Sequence, residues 1–462
     1  MEQGGQRTGS ILGFTRDREL YRTFFPMLCI ITLQQFATLM VNMVDNIMLG
    51  RFSEAALSGA TLVNQYQSIL QMLSSGMGMG IVVLAGQYWG KKDLEPIRRI
   101  IGLGIKMGLL AGLVFLALSL AVPHGMLALL TGDEEFVAEG VRYLRILCFT
   151  FPVYALSSSL MYALQSVETV MVGTVMSIST VCINICLNYC LIYGHFGFEP
   201  MGVQGAAIAT LVSRIVELVI ILVYVLRIDK KLRMKVVDLL RLDLSYMKDY
   251  IRVAAPLMAS GFFWGIAQAV QTSILGHLAP PAISANSICV LTYHVVAVVG
   301  MASVNASSVT IAKTIGAKGL SQVKSYAITL QLIFALIGLI SGTLIFLLRG
   351  AIVGIYADSL SSEAVELTYQ FLTVLSVTTV FSCYQYPVAS GIVAGGGDTK
   401  YPALIENLFM WLWVIPLSWL CAFVFKVPPI WVFLALKSDQ VIKTVPNAIK
   451  CNRFRWAREL TR

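Results

Sequence analysis

The sequence predicts an all-α membrane protein with twelve transmembrane helices in two parallel six-helix lobes. Three observations carry that expectation. Hydrophobic residues fill 57% of the 462 positions and charged residues only 13%, more apolar side chain than a soluble chain of this length can hide. Apolar stretches of roughly 20 residues recur along nearly the whole chain, without the alternation of a β-barrel strand. Residues 44–60 also return at 270–286: an offset of about 226 residues carries Leu49-Gly50 to Leu275-Gly276, Gly90 to Gly316, Lys92 to Lys318, Leu94 to Leu320 and Tyr143 to Tyr369. That is far too long for a solenoid repeat and fits a duplicated domain. The same register sets Gln271 opposite Asp45.

The segments expected to span fall at 24–48, 55–88, 100–122, 139–163, 170–194, 202–226, 251–277, 283–312, 325–348, 364–394, 401–425 and 428–448. Six lie in each copy, and an even number per copy makes the repeats parallel rather than inverted. The chain therefore divides into an N-terminal segment 1–23, an N-lobe 24–226, a connector 227–250, a C-lobe 251–448 and a basic tail 449–462. The stretch to Arg22 is polar and basic, with no short apolar core before a small-residue cleavage site, so the first apolar segment is expected to insert and stay.

The net charge of +9 is spread in short clusters between spans, which points to membrane topology and away from nucleic acid. Arg7, Arg16, Arg18 and Arg22 precede the first segment, Lys91, Lys92, Arg98 and Arg99 follow the second, and eight basic residues from Arg227 to Arg252 crowd the connector. Lys313, Lys318, Lys324, Arg453, Arg455 and Arg458 fall on the same side. Asp133, Glu134, Glu135, Glu199, Asp358, Glu363 and Glu366 fall on the other. Both termini are thus expected in the cytoplasm of a bacterial cell, with a monomer embedded in membrane lipid. Cys182, Cys186 and Cys190 line one helix face, where small packing residues are expected rather than a metal stripe, since no histidine joins them.

Several glycine patterns invite nucleotide chemistry and do not support it. Gly86-Gln-Tyr-Trp-Gly90-Lys91-Lys92 has too few residues between its glycines for a phosphate loop, and lysine where a hydroxyl should hold magnesium. Gly104, Gly108 and Gly112 line one face of a helix, where missing side chains let a neighbouring backbone approach. Gly395-Gly396-Gly397-Asp398 reads as a turn. No hydrolytic or metal-binding motif appears, so an enzyme is not expected.

Ionisable residues inside spans are few, and each is costly there; a carboxylate at mid-membrane costs about 2.5–3.5 kcal/mol on insertion scales. Asp45 is the clearest, toward the end of the first segment. Asn184 and Asn188 lie one turn apart on the fifth, and Thr210 on the sixth; their oxygens could surround a sodium ion or hydrogen-bond a carboxylate, or simply glue helices together. The second copy carries another polar set: Gln271, Glu406, Lys437 and Asp439, with Lys443 four residues beyond Asp439 and able to pair with it.

Val44-Asp45-x-x-Met48-Leu49-Gly50-Arg51, Gly86-Gln87-x-x-Gly90-Lys91, Trp264-Gly265, Gly300-Met-Ala-Ser303 and Gly395-Gly396-Gly397-Asp398-Thr399 together resemble the multidrug and toxic compound extrusion (MATE) family across roughly 20–460. The resemblance implies twelve helices in two lobes and export of organic, often cationic, compounds in exchange for protons or sodium. One branch of the family places an essential aspartate on helix 1, an Asn-x-x-x-Asp on helix 5, a threonine on helix 6 and a tyrosine on helix 4; here these fall on Asp45, Asn184, Asn188, Thr210 and Tyr143. Asn188 departs from the pattern, which weakens a two-acid sodium cage. Another branch uses a glutamate after the proline of helix 7, and after Pro256 stand Phe262, Phe263 and Trp264 instead.

The expected function is a secondary antiporter without a cofactor, driven by H+ or Na+ at Asp45 and exporting small organic molecules by alternating access. A lipid-linked oligosaccharide flippase of the same wider superfamily would be expected to show a basic cavity for pyrophosphate, and few intramembrane arginines are seen. A channel or receptor would be expected to carry a repeated filter or a ligand-binding loop.

Overall fold

In a computed structural model the described residues are 15, 17–129, 131–241, 243–278, 280–356 and 360–461. They form seventeen α-helices: α1 (Arg18–Phe52), α2 (Glu54–Lys91), α3 (Leu94–Ala121), α4 (Pro123–Ala128), α5 (Glu134–Leu147), α6 (Thr150–Ser166), α7 (Met171–Tyr193), α8 (Val203–Val223), α9 (Val236–Leu240), α10 (Met247–Gly276), α11 (Pro280–Lys318), α12 (Leu320–Tyr356), α13 (Ser362–Tyr386), α14 (Lys400–Phe409), α15 (Ile415–Trp419), α16 (Pro429–Ile442) and α17 (Thr444–Asn452). Four short π-helical stretches extend or join them, one at Pro387–Val393 and one at Met410–Val414 just before Pro416. A proline removes a backbone donor, and a widened turn absorbs the resulting mismatch. Arg7, Arg16 and Asp358 lie outside the described residues.

The protein is an all-helical, multi-pass membrane protein. Among the described residues ten helical stretches are long and apolar enough to cross a bilayer, and α5 with α6, bent by 54° at their junction, make an eleventh as a pair. Asp133 starts α5 by accepting from Glu135 N and Phe136 N at 3.0 and 3.3 Å, filling donors that a helix start leaves open. Pro152, in the first turn of α6, cannot donate back across the junction, which accounts for the bend. The segment expected at 428–448 is helical but divided at Lys443 into α16 and α17. Pro446 again withholds a donor one turn into the second piece, and 14 residues of α16 fall short of the roughly 20 needed to span.

The fold comprises two compact units, one of residues 33–85 and 93–262, the other of residues 1–32, 86–92 and 263–462. In the first, α3 packs against α6 and α7 against α8. The glycine stripe of α3 makes the former contact: a Cβ at Gly112 would stand 2.7 Å from Pro152 Cα, and one at Gly108 2.6 Å from Ser159 Oγ, so only glycine permits this approach. A core of Leu49, Val63, Leu70, Leu144, Phe151 and Ile192 fills the space between helices. On α7 the buried face is Thr180, Asn184 and Asn188. Cys182 and Cys186 are therefore on the outer side and exposed, a correction to their expected role between helices, because the polar residues two positions away claim the inward face.

In the second unit α13 packs on α11 and α12, and Phe371 stacks flat on Phe433 with ring centroids 4.2 Å apart. The tail folds back as a clasp. Trp456 is fully buried and donates through Nε1 to Cys451 O at 2.7 Å; a Cβ on Gly396 would overlap its ring, and Gly397 sits at φ 99°, where a side chain is strained. Gln87, at the end of α2, donates to Arg458 O at 3.0 Å and accepts from Leu460 N at 2.8 Å. Lys91 pairs with Glu459 at 2.6 Å, and Asp398 with Lys450 at 2.8 Å.

Candidate functional site

Four helices of the first unit bring the predicted residues together. Asp45 projects from α1 and accepts a hydrogen bond from Asn188 Nδ2 on α7. The same amide donates to Asn184 Oδ1 at 3.0 Å, and Asn184 Nδ2 reaches Thr210 Oγ1 on α8 at 3.5 Å. Tyr143 on α5 is buried, within hydrogen-bonding reach of Thr210 and electrostatic range of Asp45. Asn184 and Asn188 are 1% and 0% exposed, so their groups depend on one another rather than on water. One atom has no partner: Asn188 Oδ1. The site thus pairs one carboxylate with an amide donor and keeps a spare buried acceptor beside it.

Two further charges belong to this unit and escaped the sequence reading. Arg214 Nη1 donates to Glu217 Oε2 at 2.6 Å, Ser157 Oγ donates to Glu217 Oε1 at 3.0 Å, and the guanidinium lies 5.2 Å from the centre of the Tyr154 ring. Both side chains are largely buried, 16% and 12% exposed. Arg214 also lies within electrostatic range of Asp45. Opposite charges three residues apart cancel in a net-charge sum, and the apolar residues around them keep the segment's mean hydropathy high. The usable signal was the face shared by Thr210, Arg214 and Glu217 at helical spacing.

In the second unit the polar set divides. Lys443, at the break between α16 and α17 and 1% exposed, pairs with Glu406 Oε2 of α14 at 2.6 Å and with Asp439 Oδ2 at 2.8 Å. Glu406 Oε1 is buried without a partner. A relay of side chains ends on the same Asp439: Tyr401 OH donates to Asn447 Oδ1 (3.1 Å), Asn447 Nδ2 to Gln385 Oε1 (2.8 Å), Gln385 Nε2 to Gln440 Oε1 (3.0 Å) and Gln440 Nε2 to Asp439 Oδ2 (2.9 Å). Every donor points toward the carboxylate. Lys437 instead places its ammonium over the Tyr293 and Phe433 rings, 5.9 and 5.8 Å from their centres. Gln271 donates to Met410 Sδ at 2.8 Å. The repeat thus sets a neutral amide against sulfur where the first unit has its carboxylate.

The MatE family profile matches residues 31–190 and 256–420, covering both copies of the repeat. The chain belongs to the MatE family. As a MatE transporter it is similar to a probable multidrug resistance protein NorM of Listeria innocua, 25% identical over 409 residues that cover 86% of this chain and 87% of that one. Among solved structures, the Vibrio cholerae MATE transporter VcmN in the bent form superposes with TM-score 0.84 at 15% identity, covering 95% of this chain and 97% of that one. The eukaryotic MATE transporter AtDTX14 superposes with TM-score 0.81 at 20% identity, covering 96% and 98%. At such identities the likeness concerns the fold, which is that of the MATE transporters.

Proposed function

We propose that this MatE chain is a proton-coupled antiporter of the bacterial cytoplasmic membrane, both termini cytoplasmic, that exports organic cations and other drugs by alternating access. The multidrug resistance proteins to which it is similar support the cargo class. The observation that carries the coupling ion is the hydrogen bond from the Asn188 amide to Asp45. A sodium cage needs converging oxygens and benefits from a second negative charge; here one neighbour of the carboxylate is an N–H, and the second position is a neutral amide.

In the proposed cycle, ionised Asp45 holds α7 through a charge-assisted bond. A proton entering from outside turns one carboxyl oxygen from acceptor into donor, and the unpartnered Asn188 Oδ1 is the acceptor at hand. The link between α1 and α7 then changes from a bond worth about 1.5–3 kcal/mol to a neutral one worth about 1 kcal/mol, a bias of the size that can shift a two-state equilibrium. Tyr143 and Thr210 hold Asn184, and so the amide pair, in place. Release of the proton inside resets the site.

That same orphan oxygen is the one feature that favours sodium, bound through Asp45, Asn184, Asn188 and Thr210. Proteoliposomes loaded with a fluorescent organic cation separate the two. Export should follow an imposed proton gradient, ignore a sodium gradient, and vanish in Asp45→Asn; sodium-driven export at uniform pH would overturn the proton reading.

A further inference from the structure

The second unit holds a buried charge set that the Asp45 cycle does not use. Two carboxylates, Glu406 and Asp439, share one ammonium, Lys443. With both acids ionised the trio carries one net negative charge away from water, where every unpaired charge is costly. Its partners are distributed unequally. Asp439 Oδ2 receives both the ammonium and the last donor of the Tyr401-to-Gln440 relay. Glu406 receives the ammonium on Oε2 alone, and its other oxygen is buried and empty-handed. Among the described residues, Lys437 on α16, Tyr293 on α11 and Tyr401 on α14 are titratable groups within electrostatic reach of members of the trio, and Lys437 is engaged with aromatic rings.

We propose that Glu406 is a second proton-binding site, which takes a proton on Oε1 and so releases Lys443 from α14 to Asp439 alone. The inference rests on the proton-coupled reading and extends it to the second unit. The balance is simple: one proton from water forms one O–H bond on Glu406, the trio goes from one net negative charge to none, and Lys443 keeps its own proton. The mechanical result follows from position. Glu406 is the only member of the trio on α14, so neutralising it loosens α14 from the break between α16 and α17, while the Lys443–Asp439 pair at the end of α16 persists. Duplication would then have given the two units proton sites built from different residues, a lone carboxylate against amides in one and an acid pair around a lysine in the other.

Infrared difference spectra between acid and alkaline pH, taken on the purified protein in lipid nanodiscs, read protonated carboxyl groups directly and without transport. Glu406→Gln keeps the volume and an oxygen for Lys443, and should delete one pH-dependent carboxyl band; Asp45→Asn should delete a different one, and the double variant both. Lys443→Met leaves the two acids without their cation, so one proton should stay bound at every pH and that band should cease to titrate. A Glu406→Gln spectrum that superimposes on the wild type overturns the proposal, as does a Lys443→Met spectrum that titrates unchanged. Loss of a band in Asp45→Asn with none in Glu406→Gln would keep the Asp45 reading and sink this one; the converse would do the reverse.

Discussion

Asn188 donates a hydrogen bond to Asp45 across a sequence separation of 143 residues, so the carboxylate of α1 is tied to α7 by a group that carries no charge. Ion choice follows from that neutrality. Asn188→Asp would supply the second acid that a sodium cage requires. We expect export by this variant to gain a response to a sodium gradient and lose most of its response to a proton gradient. Transport assays in proteoliposomes with each gradient alone check this, and an unaltered ion preference counts against the assignment.

Asn188→Ala should act differently from Asn188→Asp. It removes the donor to Asp45 and a buried partner of Asn184 together, so a destabilisation of about 1–3 kcal/mol is expected, with slowed export and no gain of sodium response. Thermal unfolding in detergent gives the first quantity and the liposome assay the second.

The Arg214–Glu217 pair is the next weak point. Removing one partner strands a buried charge at a cost of about 3–5 kcal/mol, so Arg214→Met and Glu217→Gln should each lower the unfolding temperature sharply. The double variant should recover most of the loss. Equal damage in the double variant would mean that the pair's neighbours, Ser157 and Tyr154, carry the effect.

Gly112→Leu tests packing without touching any ionisable group. A side chain there meets the backbone of Pro152, and overpacking costs about 1–3 kcal/mol. The variant should be less stable by that amount and keep its proton dependence; a changed coupling ion would show that α3 and α6 bear on the Asp45 site.

The tail clasp has a pH dependence of its own. Hydrogen bonding from Lys91 holds Glu459 below the usual carboxylate range, a lowered folded value, so the tie is complete above that range and fades as pH falls through the lowered value. The pair is exposed and its effect should be small. Gln87→Ala, which removes both backbone contacts of the tail, should loosen it at every pH. Proteolysis after Arg455 or Arg458 reports both, and equal cleavage rates in wild type and variant would contradict the clasp.

Spans, repeat and the first-unit cluster were legible in the sequence because each leaves a periodic or compositional trace: apolar length, a constant offset, and polar residues one turn apart on α7. The resemblance to MATE transporters added Tyr143 to that cluster. What stayed hidden was set by partners rather than pattern. Arg214 and Glu217 cancel locally, and Glu406 meets Lys443 only because Pro446 breaks the last helix and the two pieces present Lys443 at their junction. Lys437 belonged to the expected polar set, yet Lys443 holds the acids, while Lys437 faces the Tyr293 and Phe433 rings.

The side-chain relay that ends on Asp439 contains two glutamines and an asparagine, and primary amides do not hand protons on at neutral pH. Its aligned dipoles nevertheless add, all with their positive ends toward one carboxylate, so the relay works as a fixed electric field. That field converges on the oxygen that Lys443 also holds, so the ammonium and the relay brace the end of α16 together.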